Sequence, residues 1–302
     1  MSHDPPRPWP PAPPVAARLA VVVPAAGLGT RLSPLSLGCP KELLPIGLYP
    51  ALTACLLEAE AAGLDELVLV SSPQKPGLRA LAVGLQAALA ASPPPSPQTL
   101  ALAALWQRLR VRIVDQPQPL GVLDAVARGL DALGTATAAV LFPDLVHLPD
   151  QTALSALVAA HRQTGQAVFG LRRAQASDRP GSTLAVRLAP PLADQPVASL
   201  LPSTPLPIVA LQPASGHPDE LLTTFGQVQT PAWNAALDRH CRDGNGPLRD
   251  AGLLAALNDL AGQGGLVGTL LPGEVVDLGT LAGYGEIARR FSVASARLRG
   301  VP

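Results

Sequence analysis

The sequence predicts an α/β protein in which a mostly parallel central sheet is flanked by helices. Three observations carry this prediction. Short apolar runs such as Val21-Val22-Val23 and Val68-Leu69-Val70 alternate with stretches whose apolar residues recur every three or four positions. The helical stretches close on glycine, at Gly63, Gly134 and Gly165. With 302 residues, 48% hydrophobic and 15% charged, the chain can also bury a sizeable core, as one large domain or two modest ones.

Taken in order, residues 1–17 read as a proline-rich, disordered or polyproline arm outside the fold, because proline offers no backbone donor to a ladder. A single domain follows over 18–302. Leu19 to Val23 reads as the first strand. Pro50 to Ala62 carries Leu52, Cys55, Leu56 and Ala59 on one helical stripe, and Glu66 to Val70 reads as the second strand. Val111 to Val114 is a third strand, Val122 to Leu133 a helix, and Ala138 to Phe142 a fourth strand halted at Pro143-Asp144. Asp150 is expected to cap a helix whose face is Leu154, Leu157, Val158 and His161. Residues 172–215, rich in Pro, Ser and Ala, suit loops and edge strands. Leu222 to Val228 resembles a strand, 246–260 contains a helix, and Leu266 to Leu271 is a late strand leading to Val275-Val276-Asp277. A helix over 281–292 ends the fold, and its apolar face suits a homo-oligomer.

Charge and composition exclude several classes of function. Lys+Arg and Asp+Glu are both 22, so the net charge of zero argues against a nucleic-acid backbone or an anionic membrane as partner. With only nine aromatic residues, stacking platforms for single-stranded nucleic acid are scarce. Cys39, Cys55 and Cys241 form no CxxC pair, so neither a disulfide framework nor a zinc site is indicated, and a reducing cytoplasm fits best. The first fourteen residues lack the pattern of a signal peptide, and no stretch offers 18 uninterrupted apolar residues, so no membrane span is expected. The five histidines show no ligand spacing, and neither HExxH nor GxSxG occurs.

The chemistry is concentrated in Val21 to Pro45, VVVPAAGLGTRLSPLSLGCPKELLP, where an apolar strand runs into a glycine-containing loop holding Arg31 and then Lys41. Gly27 and Gly29 allow close backbone approach, so successive N–H groups can face a polyanion while Arg31 and Lys41 supply positive charge. The competing reading is an ordinary strand-to-helix turn with surface charges. Against it, the chain has only two lysines, Lys41 and Lys75, and Pro40 and Pro45 bracket the first. A dinucleotide fingerprint fails, since its third glycine would fall at Leu32 and the second strand ends in Ser71-Ser72, where a ribose-binding acid is needed. Asp144, at the carboxyl end of a strand, is either a metal ligand or a helix cap. Asp277 is either a ligand or a turn acid, and Gln116 alone reads as a solvated amide. Lys75 reads either as approaching a nucleotide or as a surface charge. Arg172-Arg173 and Arg289-Arg290 read as solvated positions.

GLGTR followed by PKELLPI resembles the signature of the sugar-1-phosphate nucleotidyltransferases, most closely the bacterial UTP-glucose-1-phosphate uridylyltransferases. PALTACLLEAEAAGLDELVLVSSPQK, DQPQPLGVLDAV, LFPDLVH and VVDLGTLAGYGEIARRFS extend the resemblance over roughly 18–292, with 172–221 poorly matched. The extra helical stretch between Gly77 and Arg110 favours the uridylyl over the thymidylyl branch. The resemblance implies a Rossmann-like, mixed sheet of the nucleotide-diphospho-sugar transferase type. It further implies a nucleotide-binding half at about 18–145 and a sugar-binding half at about 146–280.

By the same resemblance, the backbone of Ala26, Gly27, Leu28, Gly29 and Thr30 and the Arg31 side chain hold the triphosphate, and Lys41 neutralises the reacting phosphate. Gln116 and Gly121 contact the uracil, Asp144 and Asp277 hold Mg²⁺, and the sugar falls to Gly226 and Gln212. The partners implied are small molecules, a nucleoside triphosphate and a sugar 1-phosphate. The sequence departs from the family on the sugar side. Leu211-Gln212-Pro213 stands for a Glu-Lys-Pro triplet, Leu221 for an asparagine, Leu123 and Asp124 for a glycine and a histidine, and Leu37 for a lysine. Two readings follow: an active transferase giving a nucleotide sugar and pyrophosphate, or a catalytically impaired relative that binds nucleotide or a partner protein as a regulator.

Overall fold

The structure, a computed structural model, describes residues 19–148, 153–175, 178–181, 183–242, 248 and 250–294. The arm at 1–17 and the cap assigned to Asp150 lie outside the described residues. The first strand, β1 (Ala20–Pro24), buries Val21, Val22 and Val23 completely, each contributing about 1.5–3 kcal/mol of burial. Its two faces serve two cores. Val21 and Val23 join one hydrophobic cluster and Val22 another.

A small hairpin, β2 (Pro45–Ile46) and β3 (Tyr49–Pro50), precedes α1 (Thr53–Ala61) and β4 (Leu67–Ser71). The stretch singled out between Gly77 and Arg110 is a helical pair, α2 (Pro76–Leu89) and α3 (Pro97–Arg108), the second capped by Ser96 accepting from the Thr99 N–H at 3.2 Å. Then come β5 (Arg112–Asp115), α4 (Val122–Leu133), β6 (Ala138–Leu141), β7 (Leu145–Leu148) and α5 (Ala153–Thr164). The second half of the chain supplies β8 (Ala167–Arg173), β9 (Leu184–Leu188), β10 (Pro205–Pro213), β11 (Leu221–Gln229), α6 (Pro231–Cys241) and α7 (Leu253–Gly262). The last elements are β12 (Leu266–Leu270), β13 (Glu274–Asp277) and α8 (Leu281–Ala294). Helix α6 is absent from the sequence reading, although Thr230 before Pro231 is a cap followed by a first-turn proline; the Thr230 hydroxyl accepts from the Trp233 N–H at 3.4 Å.

Among the described residues nine strands form one sheet in the order β5-β4-β1-β6-β11-β8-β12-β10-β9, with β9 also pairing β11. Strands β10 and β11 run against the other seven, which makes the sheet mixed and mostly parallel. Helices α1, α2, α3 and α5 cover one face, and α4, α6 and α7 the other. The carboxyl ends of β5, β4, β1 and β6 make a common rim. Strand β11 pairs β6 only from Gly226 onward, so its first half, with the end of β8 and with β9, projects beyond that rim. A cleft beside a rim of this kind is where open α/β sheets bind ligands. Outside the main sheet, β7 and β13 pair as an antiparallel ribbon, packed with Ile46, Ala54 and Ile287 in a core of their own. No helix among the described residues is long and apolar enough to cross a membrane.

Candidate active site

The loop after β1 is held in shape at both ends. Ala25 donates its N–H to the Val70 carbonyl at 2.8 Å, and Leu32, 1% exposed, anchors a 3-10 turn over Thr30–Leu32. Gly29 sits at φ 69°, a conformation costly for other residues. A Cβ there would meet Ser36 at 3.4 Å and Lys41 at 3.5 Å, so the loop closes tightly on the turn that carries Lys41. The Ser36 hydroxyl donates to the Gly29 carbonyl at 2.8 Å and ties the same closure. With Leu32 inward, the Arg31 side chain points outward and is 65% exposed.

The two aspartates come from the ribbon. Asp144 immediately precedes β7 and Asp277 ends β13; Leu145 is the register partner of Asp277, and Leu278 donates its N–H to the Asp144 carbonyl at 2.6 Å. Residues 133 positions apart in the sequence are thus neighbours. Lys41 Nζ is paired with Asp144, and the Arg31 guanidinium lies 3.9 Å from Asp144 and 3.5 Å from Asp277. Asp277 Oδ1 accepts from the Gly279 N–H at 2.7 Å. A Cβ on Gly279 would stand 2.8 Å from Arg31, 2.8 Å from Asp277 Oδ1 and 3.1 Å from Asp144 Oδ2. The missing side chain therefore leaves a cradle on which two carboxylates and a guanidinium converge. Among the described residues no group of three or more His, Cys, Asp or Glu could hold a metal. Two carboxylates with room beside them suit Mg²⁺, which takes one or two protein carboxylates and completes its shell from phosphates and water. Arg31 already shows that the cradle favours positive charge.

A buried layer supports the loop, and the sequence reading missed it. Lys75 is not a surface charge but 5% exposed, donating to the Ala25 carbonyl at 2.8 Å and to both oxygens of Glu42 at 2.9 and 3.1 Å. Glu42 is fully buried next to Lys41. Burial pushes the Glu42 carboxyl up and the Lys75 ammonium down, and each partner opposes the other's shift. The available signal was the lysine count: both lysines of the chain end at this site. Behind the ribbon, burial raises Glu58 from 4.5 to about 7; its Oε2 accepts from the Leu154 N–H at 2.9 Å, and His147 of β7 lies 3.7 Å from Oε1.

On the base side, Gln116 is 5% exposed rather than solvated, its N–H donating to the Ser71 carbonyl at 2.7 Å. Its side-chain Nε2 donates to the Gly121 carbonyl and to Asp124 Oδ2, both at 2.9 Å. Gly121, at φ 101°, precedes α4, and a Cβ there would stand 2.9 Å from an Asp250 carboxylate oxygen. Asp124 is 7% exposed and also accepts from Arg128 at 2.8 Å. Sequence reasoning anticipated an acidic position here but not its bond to Gln116.

The two residues expected on the sugar side come from β11 and β10. Gly226 lies in β11 opposite Leu141, where a Cβ would meet the Val140 carbonyl at 2.6 Å, so it lets β11 approach β6. Gln212 is exposed on β10 and lines a cavity of about 350 Å³ with Ala185, Arg187, Leu211, Glu220 and Leu221. Among the described residues no ion pair or side-chain hydrogen bond joins either to Arg31, Lys41, Asp144 or Asp277. Arg172 is only 21% exposed and pairs with Asp178 at 2.5 and 2.7 Å, so it is not a solvated charge.

Comparison with known proteins bears on the family and the fold. The nucleotidyl transferase family profile matches residues 20–181. A UTP-glucose-1-phosphate uridylyltransferase of Mycoplasma pneumoniae is 30% identical over 154 residues, 50% of this chain and 53% of that relative. The chain spans about half the length of the curated relatives it matches. Among solved structures, a UTP-bound UGPase from Acinetobacter baumannii aligns with a TM-score of 0.70 at 21% identity, covering 93% of this chain and 96% of that one. A UDP-glucose pyrophosphorylase complexed with UDP-glucose aligns with a TM-score of 0.69 at 18% identity, covering 91% and 99%. At these identities the likeness shows the fold, and it is the mixed, mostly parallel sheet that the sequence predicts.

Proposed function

The chain belongs to the nucleotidyl transferase family, and from that premise we propose that it transfers a nucleotidyl group from UTP to glucose 1-phosphate, releasing pyrophosphate. The observation that carries the proposal is the convergence of Arg31, Asp144 and Asp277 on the cradle at Gly279, beside the loop that Gly29 closes against the Lys41 turn. The nucleotide falls to residues 18–145 and the sugar phosphate to 146–280, with Gly226 and Gln212 nearest the sugar.

In the reaction a phosphate oxygen of the sugar attacks the α-phosphorus in line, one P–O bond forms, and the bond to the β-phosphate breaks. No general base is needed, because the attacking oxygen is already ionised. The protein's task is to hold two mutually repelling anions in register and to neutralise the charge that builds between them. Amides of 26–30 and Arg31 grip the triphosphate. Lys41, leaving Asp144 as substrate enters, meets the reacting phosphate. Asp144 and Asp277 would hold Mg²⁺, which supplies positive charge to the phosphate oxygens when bound. Unit charges about 4 Å apart at an effective dielectric near 20 interact by about 4 kcal/mol, so each such group lowers the barrier appreciably. The three free cysteines fit work in the cytoplasm.

The test is pyrophosphate release by purified protein with Mg²⁺, each nucleoside triphosphate and a panel of sugar 1-phosphates. Release with UTP and glucose 1-phosphate supports the proposal. Silence across the panel, with UTP still bound, would replace it by the regulatory reading.

A further inference from the structure

We propose that Asp124 determines which base the cleft accepts, by fixing the direction of the Gln116 side-chain amide; this rests on the nucleotidyl-transfer reading and deepens it. A glutamine amide offers two N–H donors on one side and a carbonyl acceptor on the other. At Gln116 both donors are spent: Nε2 gives one to the Gly121 carbonyl and one to Asp124 Oδ2, each at 2.9 Å. Neither partner can donate, since one is a peptide carbonyl and the other a carboxylate that already accepts from Arg128. Reversing the amide would set its oxygen against two acceptors, so the orientation is locked. What remains for a ligand is Gln116 Oε1, which accepts no hydrogen bond from the described residues.

An acceptor at that point selects a base that presents a ring N–H. Uracil and thymine carry a hydrogen on N3; cytosine carries a lone pair there and would face the carbonyl oxygen acceptor to acceptor. Discrimination of this kind is sharp, because the wrong base leaves a buried polar group unpaired. Gln116 is the group that would touch the base, and Asp124 acts through it as a positioning residue. Arg128, one helical turn on from Asp124, holds the carboxylate in place.

The experiment measures the affinities of UTP and CTP by calorimetry for the wild type and three variants, with thermal midpoints alongside. The wild type is expected to prefer UTP by at least about tenfold. In Asp124→Ala only the Gly121 carbonyl still holds the amide, so its direction is no longer doubly fixed and the preference falls to within about threefold. Asp124→Asn keeps an oxygen acceptor for Gln116 and retains the wild-type preference. Gln116→Met, which has no amide to orient, loses the preference and serves if Asp124→Ala does not fold. An unchanged ratio in Asp124→Ala or Gln116→Met, or a wild type that binds UTP and CTP equally, overturns the role of Asp124. The two readings fail differently. Preference for UTP without pyrophosphate release would sink the transfer reaction and leave base selection standing, whereas turnover with unaltered selectivity in the variants would sink only Asp124.

Discussion

Lys75 and Glu42 form a buried ion pair beneath the loop that follows β1, and the same ammonium holds the Ala25 carbonyl at the end of β1. One side chain thus pins both approaches to the loop, the strand that enters it and the turn that presents Lys41. Lys75→Met should strand the Glu42 carboxylate in an apolar interior and lower stability by about 3–5 kcal/mol, while Lys75→Met with Glu42→Met should recover most of the loss. Urea unfolding of the three proteins decides this. A single variant as stable as the wild type would mean that the pair contributes little.

Asp144→Asn and Asp277→Asn are expected to lower turnover at least about tenfold each while the fold persists, because each removes a charge at the convergence point and keeps the shape of the side chain. Lys41→Ala is expected to do the same. Steady-state rates with UTP, paired with circular dichroism, check all three, and a variant at full rate loses its assigned role.

Gly279→Ala would set a methyl group 2.8 Å from Asp277 Oδ1 and from Arg31. Both neighbours are the far ends of side chains, so the fold should tolerate the change and the cradle should not. The expected result is roughly a tenfold rise in the Mg²⁺ concentration needed for half-maximal rate, with an unchanged thermal midpoint. A shift in the midpoint alone would assign the glycine to packing.

Glu58 titrates at about 7 in the folded protein against an ordinary 4.5, because burial disfavours its charge. The folded state therefore binds a proton that the unfolded chain releases, and stability falls by about 3 kcal/mol as pH rises from about 4.5 to about 7. Glu58→Gln can still accept from the Leu154 N–H and should remove that slope. Thermal midpoints of the two proteins should nearly coincide at pH 4.5 and diverge, with the variant higher, by pH 8. Parallel curves would exclude Glu58 as the source.

The sequence made legible what depends on local pattern. Helix α4 has the limits its apolar spacing and Gly134 specify, and Gly29 takes the positive φ that the loop requires. Asp144 and Asp277 could be picked out one at a time, but only by resemblance could they be placed together, since the β7–β13 ribbon that joins them leaves no trace in periodicity. Lys75 was misread because a charged side chain within a loop looks solvated until its partner is known. Glu42 is that partner, thirty-three positions away. Gln116 was misread for the same reason: its burial comes from Ser71 and Asp124, on other elements. Helix α6 escaped because Pro231 punctuates the chain where it also begins a helix.

Because one aspartate enters the ribbon at residue 144 and the other at residue 277, a ribosome must have delivered the chain through β13 before the two acids can meet. The loop after β1 is made early, and the second acid comes 133 positions after the first. A fragment stopping short of β13 would keep most of the sheet and lack half of the carboxylate pair, so the pair exists only once β13 has been made.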